Sequence, residues 1–190
     1  MKDLVTEAAA FAANAHDGMR RRGGCGAPYI IHPMEVAAIV GSITDSQEVI
    51  SAALLHDVVE DAGITIEEVG EKFGARVKEL VASETENKRE ELPPEETWRI
   101  RKEESLAKLA ATDDIDVATL WLGDKLSNVR AFYRDFIKEG DALWNRFHQS
   151  DVSAQAWYYR SVEKYTARLS HTVAWKEYKK LVELLFGVEE

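Results

Sequence analysis

The sequence predicts an all-α fold, a bundle of about eight to ten helices. Three observations carry this reading. Apolar residues recur at three- and four-residue spacing through most of the 190-residue chain. Runs that alternate apolar and polar residues are absent, and β-branched residues are scattered. Capping residues and glycines fall where one apolar stripe ends and the next begins.

Residues 3–16 form the first helix, with Leu4, Ala8, Phe11 and Ala15 on one face. A loop rich in Gly and Arg comes next, over 18–28. Pro33 suits the first turn of the next helix, where no backbone N–H is required, and Val36, Ile39, Val40 and Ile43 supply its stripe. Thr44-Asp45-Ser46 is a capping cluster with Gln47 and Glu48 close behind. The helix over 47–61 is the most apolar of the chain. Ile50, Ala53, Leu54 and Val58, with Ala52, Leu55 and Val59, cover much of its circumference and place it at the centre.

Ala62-Gly63 ends that helix, and Thr65 with Glu68 forms a capping box for a short one closed by Phe73-Gly74. Residues 75–81 make another. Acidic residues and prolines then leave little to bury, so a mobile loop is expected over 83–97, running into a helix over 95–111. Asp113, Asp114 and Asp116 precede a long helix to about residue 138, with Ala118, Leu122, Leu126, Val129 and Phe132 as its stripe and Gly140 as its stop. A polar connection over 141–153 leads to two last helices, 154–169 and 173–186. No repeat or long linker divides the chain, so residues 1–190 are read as a single domain.

Composition excludes several functions. Apolar residues make up 45% and charged residues 31%, as in ordinary folded chains rather than disordered ones. Lys+Arg 24 against Asp+Glu 34 gives a net charge of −10, which argues against a nucleic-acid partner while leaving room for a local anion site. The lone Cys25 rules out an internal disulfide and a four-thiolate zinc site, and suits a reducing compartment. No apolar run approaches the roughly 20 residues that span a bilayer. The first residues lack the pattern of a signal peptide, so a cytoplasmic protein without membrane attachment is expected.

Chemistry concentrates in three places. On the central helix, His56, Asp57, Glu60 and Asp61 share one polar arc of an otherwise apolar surface, and a metal ion is a good reason for such an edge. A surface His-Asp pair is the plain alternative. His32 is held by the proline after it, either as a ligand or as an ordinary turn histidine. Asp124 and Asn128, four residues apart, share a face with Leu120, although Asp124 with Lys125 also reads as a surface ion pair.

These pieces, in order, resemble the hydrolase domain of the RelA/SpoT family within the HD phosphohydrolase superfamily. The matching residues are Ala15-His16, Arg20-Arg21-Arg22, Pro28-Tyr29-Ile30 with His32-Pro33, the run from Ala52 to Asp61, Phe73-Gly74, and Gly123-Asp124-Lys125-Leu126 with Asn128 and Arg130. They cover residues 4–133, and the Glu60-Asp61 pair is more specific than His56-Asp57. The resemblance implies an HD-type bundle with a metal site of His32, His56, Asp57 and Asp124, usually holding manganese (Mn2+). It assigns Glu60 and Asp61 to positioning or deprotonating the attacking water. The implied substrate is the alarmone ppGpp or pppGpp, whose 3′-pyrophosphate leaves as a unit to return GDP or GTP. Arg21, Arg22 and Lys88 are the implied phosphate contacts; Asn128 bonds sugar or phosphate, and Lys125 adds charge. Tyr158 either flanks the nucleotide or belongs to the core.

The sequence also departs from the family. The glycine-rich stretch Gly23-Gly24-Cys25-Gly26-Ala27 leaves base choice open. Gly123 and Ser127 replace the alanine and the histidine or tyrosine usual in their motif. Another phosphorylated nucleotide, such as (p)ppApp or the 2′-phosphate of NADPH, and a non-catalytic nucleotide sensor remain alternatives. Nothing matches the family's synthetase or regulatory regions, so a free-standing hydrolase is expected. Trp98, Trp144, Trp157 and Trp175 belong either to the core or to an interface with a second copy in a homo-oligomer.

Overall fold

The computed structural model describes residues 3–21, 26–89 and 91–188. They form α1 (Leu4–Ala15), α2 (Ile31–Gly41), α3 (Gln47–Leu55), α4 (Val58–Asp61), α5 (Ile66–Phe73), α6 (Ala75–Glu84), α7 (Pro94–Ala111), α8 (Ile115–Glu139), α9 (Val152–Tyr165) and α10 (Val173–Phe186). Short 3₁₀ turns lie at Gly140–Arg146 and Ala167–Leu169. Among the described residues there is no strand, and a lone antiparallel bridge joins Arg20 to Pro28. The all-α expectation holds. Arg22 and Cys25 lie outside the described residues.

The apolar segment centred on Ala52 is the middle of the molecule, as its all-round hydrophobicity predicts. Helix α3 packs against α1, α2, α6 and α8, and buries Ala52, Ala53 and Leu55 completely. The long α8 runs past it and packs against α2, α9 and α10. Leu120, Leu122, Leu126 and Val129 of α8 are fully buried in this core.

The expected caps form. Val49 N–H bonds Ser46 Oγ at the start of α3. Thr65 and Glu68 make the capping box of α5, with Thr65 N–H 2.7 Å from Glu68 Oε2. Helix α2 begins at Ile31, which places Pro33 in its first turn.

Four boundaries differ from the sequence reading. The helix expected over 47–61 breaks at His56 and Asp57, where Asp57 adopts φ −94° and ψ −6°, and α4 restarts at Val58. The loop expected over 83–97 is shorter, because α6 continues to Glu84 and α7 starts at Pro94. The connection over 141–153 is not wholly polar surface, since its 3₁₀ turn buries Leu143 and Trp144. Helix α9 stops at Tyr165 instead of reaching 169. Trp98 and Trp144 are buried, while Trp157 and Trp175 are half-buried against the same core.

Arg76 of α6 fastens the start of α8. It pairs with Asp114, the N-cap whose Oδ1 accepts Asp116 N–H, and with Asp116. Its hydrogen bond is the main cause that holds the Asp114 carboxyl below its ordinary value of 3.8, so the pair stabilises the fold above that pH and loses the contribution as pH falls through the depressed value. Arg76→Gln should therefore cost about 1 kcal/mol at neutral pH, a modest figure because the guanidinium is about a third exposed to solvent. Thermal melts at pH 7 and pH 3 check this: the gap between wild type and variant should narrow at the lower pH.

Candidate active site

The break between α3 and α4 builds the centre of the site. His56 Nδ1–H donates to the carbonyl of Ala53 (2.9 Å), which can only accept, so Nε2 is the nitrogen left to face the centre. That Nε2 is buried and has no hydrogen-bond partner: Asp57 Oδ2 is 3.0 Å away but not aligned for one. His32, in the first turn of α2, is fixed the same way. The Ser127 hydroxyl donates to Glu35 Oε2 (2.9 Å), so Ser127 Oγ accepts from His32 Nδ1–H (2.9 Å) and His32 Nε2 also points inward as an acceptor. Burial holds the His32 imidazole below its usual pKa, in the neutral form that ligation needs.

Two carboxylates face these nitrogens. Asp124 Oδ1 lies 3.0 Å from His32 Nε2 and 3.6 Å from His56 Nε2. Asp57 Oδ2 lies 3.0 Å from His56 Nε2, 3.6 Å from His32 Nε2, and accepts the Tyr29 hydroxyl at 2.7 Å. One ligand atom each from His32, His56 and Asp124 falls within 4.8 Å of the others. Two imidazoles whose Nδ1 atoms are already bonded, plus two converging carboxylates, are a donor set for a divalent cation. An orphaned buried imidazole nitrogen facing that centre is the structural sign that the residues fit one.

Gly123 makes the approach possible. A Cβ there would meet Val40 Cγ2 at 2.7 Å and Val36 Cγ1 at 3.4 Å, so its absence lets α8 close on α2 and sets Asp124 beside His32. Val40 is fully buried and short, and has no flexible end to move aside. Gly123→Ala should destabilise by about 1–3 kcal/mol through overpacking. It should also weaken divalent-ion binding, because Asp124 moves with the helix; melting and metal titration of one preparation read both effects.

The acidic pair after Asp57 divides between two spaces. Glu60 lines an inner pocket of about 230 Å³ with His32, His56, Asp57 and Asp124. Its Oε1 accepts Glu86 N–H at 2.8 Å, and burial is the main cause that raises its pKa. Asp61 lines an outer cleft of about 680 Å³ and is held by Lys88 Nζ at 2.8 Å. Arg21, Tyr29, Arg101 and Asn128 line both spaces, so the two are continuous.

Most of the expected binding residues gather around these two spaces. Arg21 donates to Asn128 Oδ1 (3.1 Å), and Asn128 Nδ2 donates to Asp124 Oδ1 (2.8 Å), which joins loop, α8 and metal centre. Lys88 faces the outer cleft. Lys125 lines the inner pocket with its ammonium on Asp124. Tyr158 is a correction: it is 2% exposed among Trp98 and Tyr159, and it is Tyr159 that lines the cleft.

Several site residues are not evident from the sequence. Tyr29 orients Asp57, and Ser127 with Glu35 orients His32. Glu84, Glu86, Arg101 and Lys102 line the inner pocket. Glu86 accepts from Arg101 (3.1 Å) and Lys102 (2.7 Å) while its N–H holds Glu60. A helical signal for α7 was available, since Trp98, Lys102, Ser105 and Leu109 fall on one face.

A helical bundle with a buried histidine-aspartate centre is the architecture of HD domains, and the HD domain family model matches residues 8–149. The chain belongs to the HD domain family. Among its relatives is the human guanosine-3′,5′-bis(diphosphate) 3′-pyrophosphohydrolase MESH1, 42% identical over 133 residues that cover 68% of this chain and 70% of that protein. The protein of the same activity name from Aquifex aeolicus is 37% identical over 129 residues, and the putative GTP diphosphokinase RSH1 of Arabidopsis thaliana is 39% identical over 135. Those matches cover 68% and 67% of this chain but only 18% and 15% of the relatives, so the chain spans under a fifth of the long ones. A solved metazoan ortholog of SpoT that hydrolyzes ppGpp superposes with a TM-score of 0.78 over 99% of this chain and 98% of its own; at 23% identity this is a likeness of fold. A Listeria monocytogenes EGD-e structure gives 0.72 at 30% identity, covering 83% of this chain and 99% of that one. No helix among the described residues is long and apolar enough to cross a membrane.

Proposed function

We propose that this chain hydrolyses guanosine 3′,5′-bis(diphosphate), and its pentaphosphate form, at the 3′-pyrophosphate, releasing pyrophosphate and GDP or GTP. One observation carries the reading: the centre formed by His32, His56, Asp57 and Asp124 opens through Glu60 and Asp61 into a cleft edged by Arg20, Arg21, Lys88 and Arg101. The activity named for its human and Aquifex relatives supports it. The cytoplasmic, single-domain reading of the sequence agrees with this role.

A divalent ion held by His32, His56, Asp57 and Asp124, manganese by the family resemblance, supplies positive charge to the phosphate and lowers the pKa of water. Glu60 is the base. Its carboxylate faces the inner pocket, and burial raises its proton affinity in the direction that proton abstraction requires. It takes a proton as the water oxygen bonds to the phosphorus attached to O3′. The P–O3′ bond breaks, the pyrophosphate departs, and O3′ gains a proton. Asp61 holds Lys88 at the mouth, where the ammonium pairs with phosphate oxygens.

Arg21 and Arg101 line both spaces and so face a pyrophosphate that reaches from the cleft to the centre. Asp57, Glu60, Glu86 and Asp124 line the inner pocket against four basic side chains, Arg21, Arg101, Lys102 and Lys125, while burial pushes the Glu84 carboxyl up to about 8. A dication tips that balance in favour of a polyanion. Farther out, Phe132, Phe147, His148 and Tyr159 offer an aromatic surface for the base.

Incubation with manganese and a panel of ppGpp, ppApp and NADPH, with products resolved, tests the substrate. GDP with an equal amount of pyrophosphate is expected. Orthophosphate from NADPH with ppGpp untouched would reverse the assignment.

A further inference from the structure

Glu84 is the unexplained group of the site, and any role for it there rests on the centre of His32, His56, Asp57 and Asp124 holding a metal. It ends α6, is 8% exposed and lines the inner pocket. Neither of its carboxylate oxygens has a hydrogen-bond partner. A charged carboxylate buried without a partner is costly, and such a group calls for an explanation.

Its neighbour is Lys125, whose Nζ is 3.9 Å from Glu84 Oε1 and sits on Asp124 Oδ2, 4.9 Å from the Trp121 ring centroid. Among the described residues, Asp124 and Glu84 are the carboxylates within ion-pair range of that ammonium. Asp124 thus has competing claims: the Lys125 ammonium on Oδ2, and Asn128 Nδ2 on Oδ1. A divalent cation drawn to the imidazoles withdraws charge from Asp124 and repels the ammonium beside it. A fully paired Asp124 is poorly prepared for such a cation unless Lys125 has somewhere to go.

We propose that Glu84 is a positioning residue for the metal centre: its carboxylate receives the Lys125 ammonium when a divalent ion is bound, which frees Asp124 to serve as a ligand. Lys125 then has two berths about one side-chain rotation apart. In the second it stays within the pocket, its charge available to the substrate phosphates. Glu84 touches no reacting atom and acts only through Lys125.

Calorimetric titration of the full chain with manganese alone, without nucleotide, tests this. Glu84→Gln keeps the shape and removes the charge, and should weaken manganese binding by about ten-fold or more with one ion per chain retained. Lys125→Met should bind at least as tightly as wild type, and adding Glu84→Gln to it should change nothing further. Unchanged affinity in Glu84→Gln overturns the proposal. So does an equal loss with and without Lys125, which would mean that Glu84 acts on the ion itself, and so does a fall in stoichiometry, which would make it a ligand of a second ion. His56→Ala separates the two levels. If wild type and His56→Ala bind manganese alike, the metal-centre reading fails and takes this inference with it; if His56→Ala abolishes binding while Glu84→Gln is silent, only the inference fails.

Discussion

Asp124→Ala should abolish both manganese binding and turnover. Asp124 is 4% exposed and is the meeting point of the site: His32 at 3.0 Å, Asn128 at 2.8 Å and the Lys125 ammonium all converge on its carboxylate. The variant removes a ligand oxygen and its charge, and leaves the Lys125 ammonium without that partner beside two imidazoles and one carboxylate, a set that holds a dication far more weakly. Loss of several kcal/mol of charge stabilisation in the transition state corresponds to a fall in kcat of about 10³-fold or more. Metal content after dialysis, steady-state rates and a thermal melt establish whether the fold survives while both properties vanish. A variant that keeps its metal or its rate contradicts the placement of Asp124.

Glu60→Gln should separate the two properties. The amide fills the same volume, and its oxygen can still accept Glu86 N–H, so the local structure is kept. What disappears is the capacity to take a proton. A fall of about 10²–10⁴-fold in kcat is expected from losing a general base. Manganese affinity should stay within a few-fold of wild type, because Glu60 faces the pocket without joining the four converging donors. An unchanged rate would remove Glu60 from the chemistry. Loss of metal with the rate would make it a ligand instead.

The legible part of the molecule was the part whose physics is local. Stripes of apolar residues at helical spacing gave α1, α3, α8 and α10 to within a few residues at most ends. Thr65 with Glu68 announced the start of α5 because a capping box closes within four residues. The four residues proposed to hold a metal were named from motif and resemblance, and the structure brings them close together.

The geometry expected of them was incomplete. An unbroken helix over 47–61 places His56, Asp57, Glu60 and Asp61 on one arc, whereas the turn at His56-Asp57 sends Glu60 inward and Asp61 to the outer cleft. That turn involves His56 Nδ1 bonding Ala53 O and Asp57 bonding Tyr29, and the second partner lies 28 residues away. No local propensity encodes such a contact.

The inner wall was hidden for another reason. Glu84, Glu86, Arg101 and Lys102 sit in a stretch dense with charge, and such stretches are usually solvated. Here Glu86 draws Arg101 and Lys102 inward, and the charges satisfy one another across α7 and the segment after α6. Tyr158 shows the converse. Sequence left Tyr158 between the nucleotide and the core, and one residue of helical rotation puts Tyr158 in the core and Tyr159 on the cleft wall.

The most direct test is to strip the protein of metal, titrate it with manganese, and follow ppGpp hydrolysis by resolving nucleotide and phosphate products. A metal-dependent 3′-pyrophosphohydrolase should show no turnover without metal, activity that saturates at one ion per chain, and GDP and pyrophosphate in equal amounts. Full activity of the stripped protein, or orthophosphate in place of pyrophosphate, would contradict that assignment.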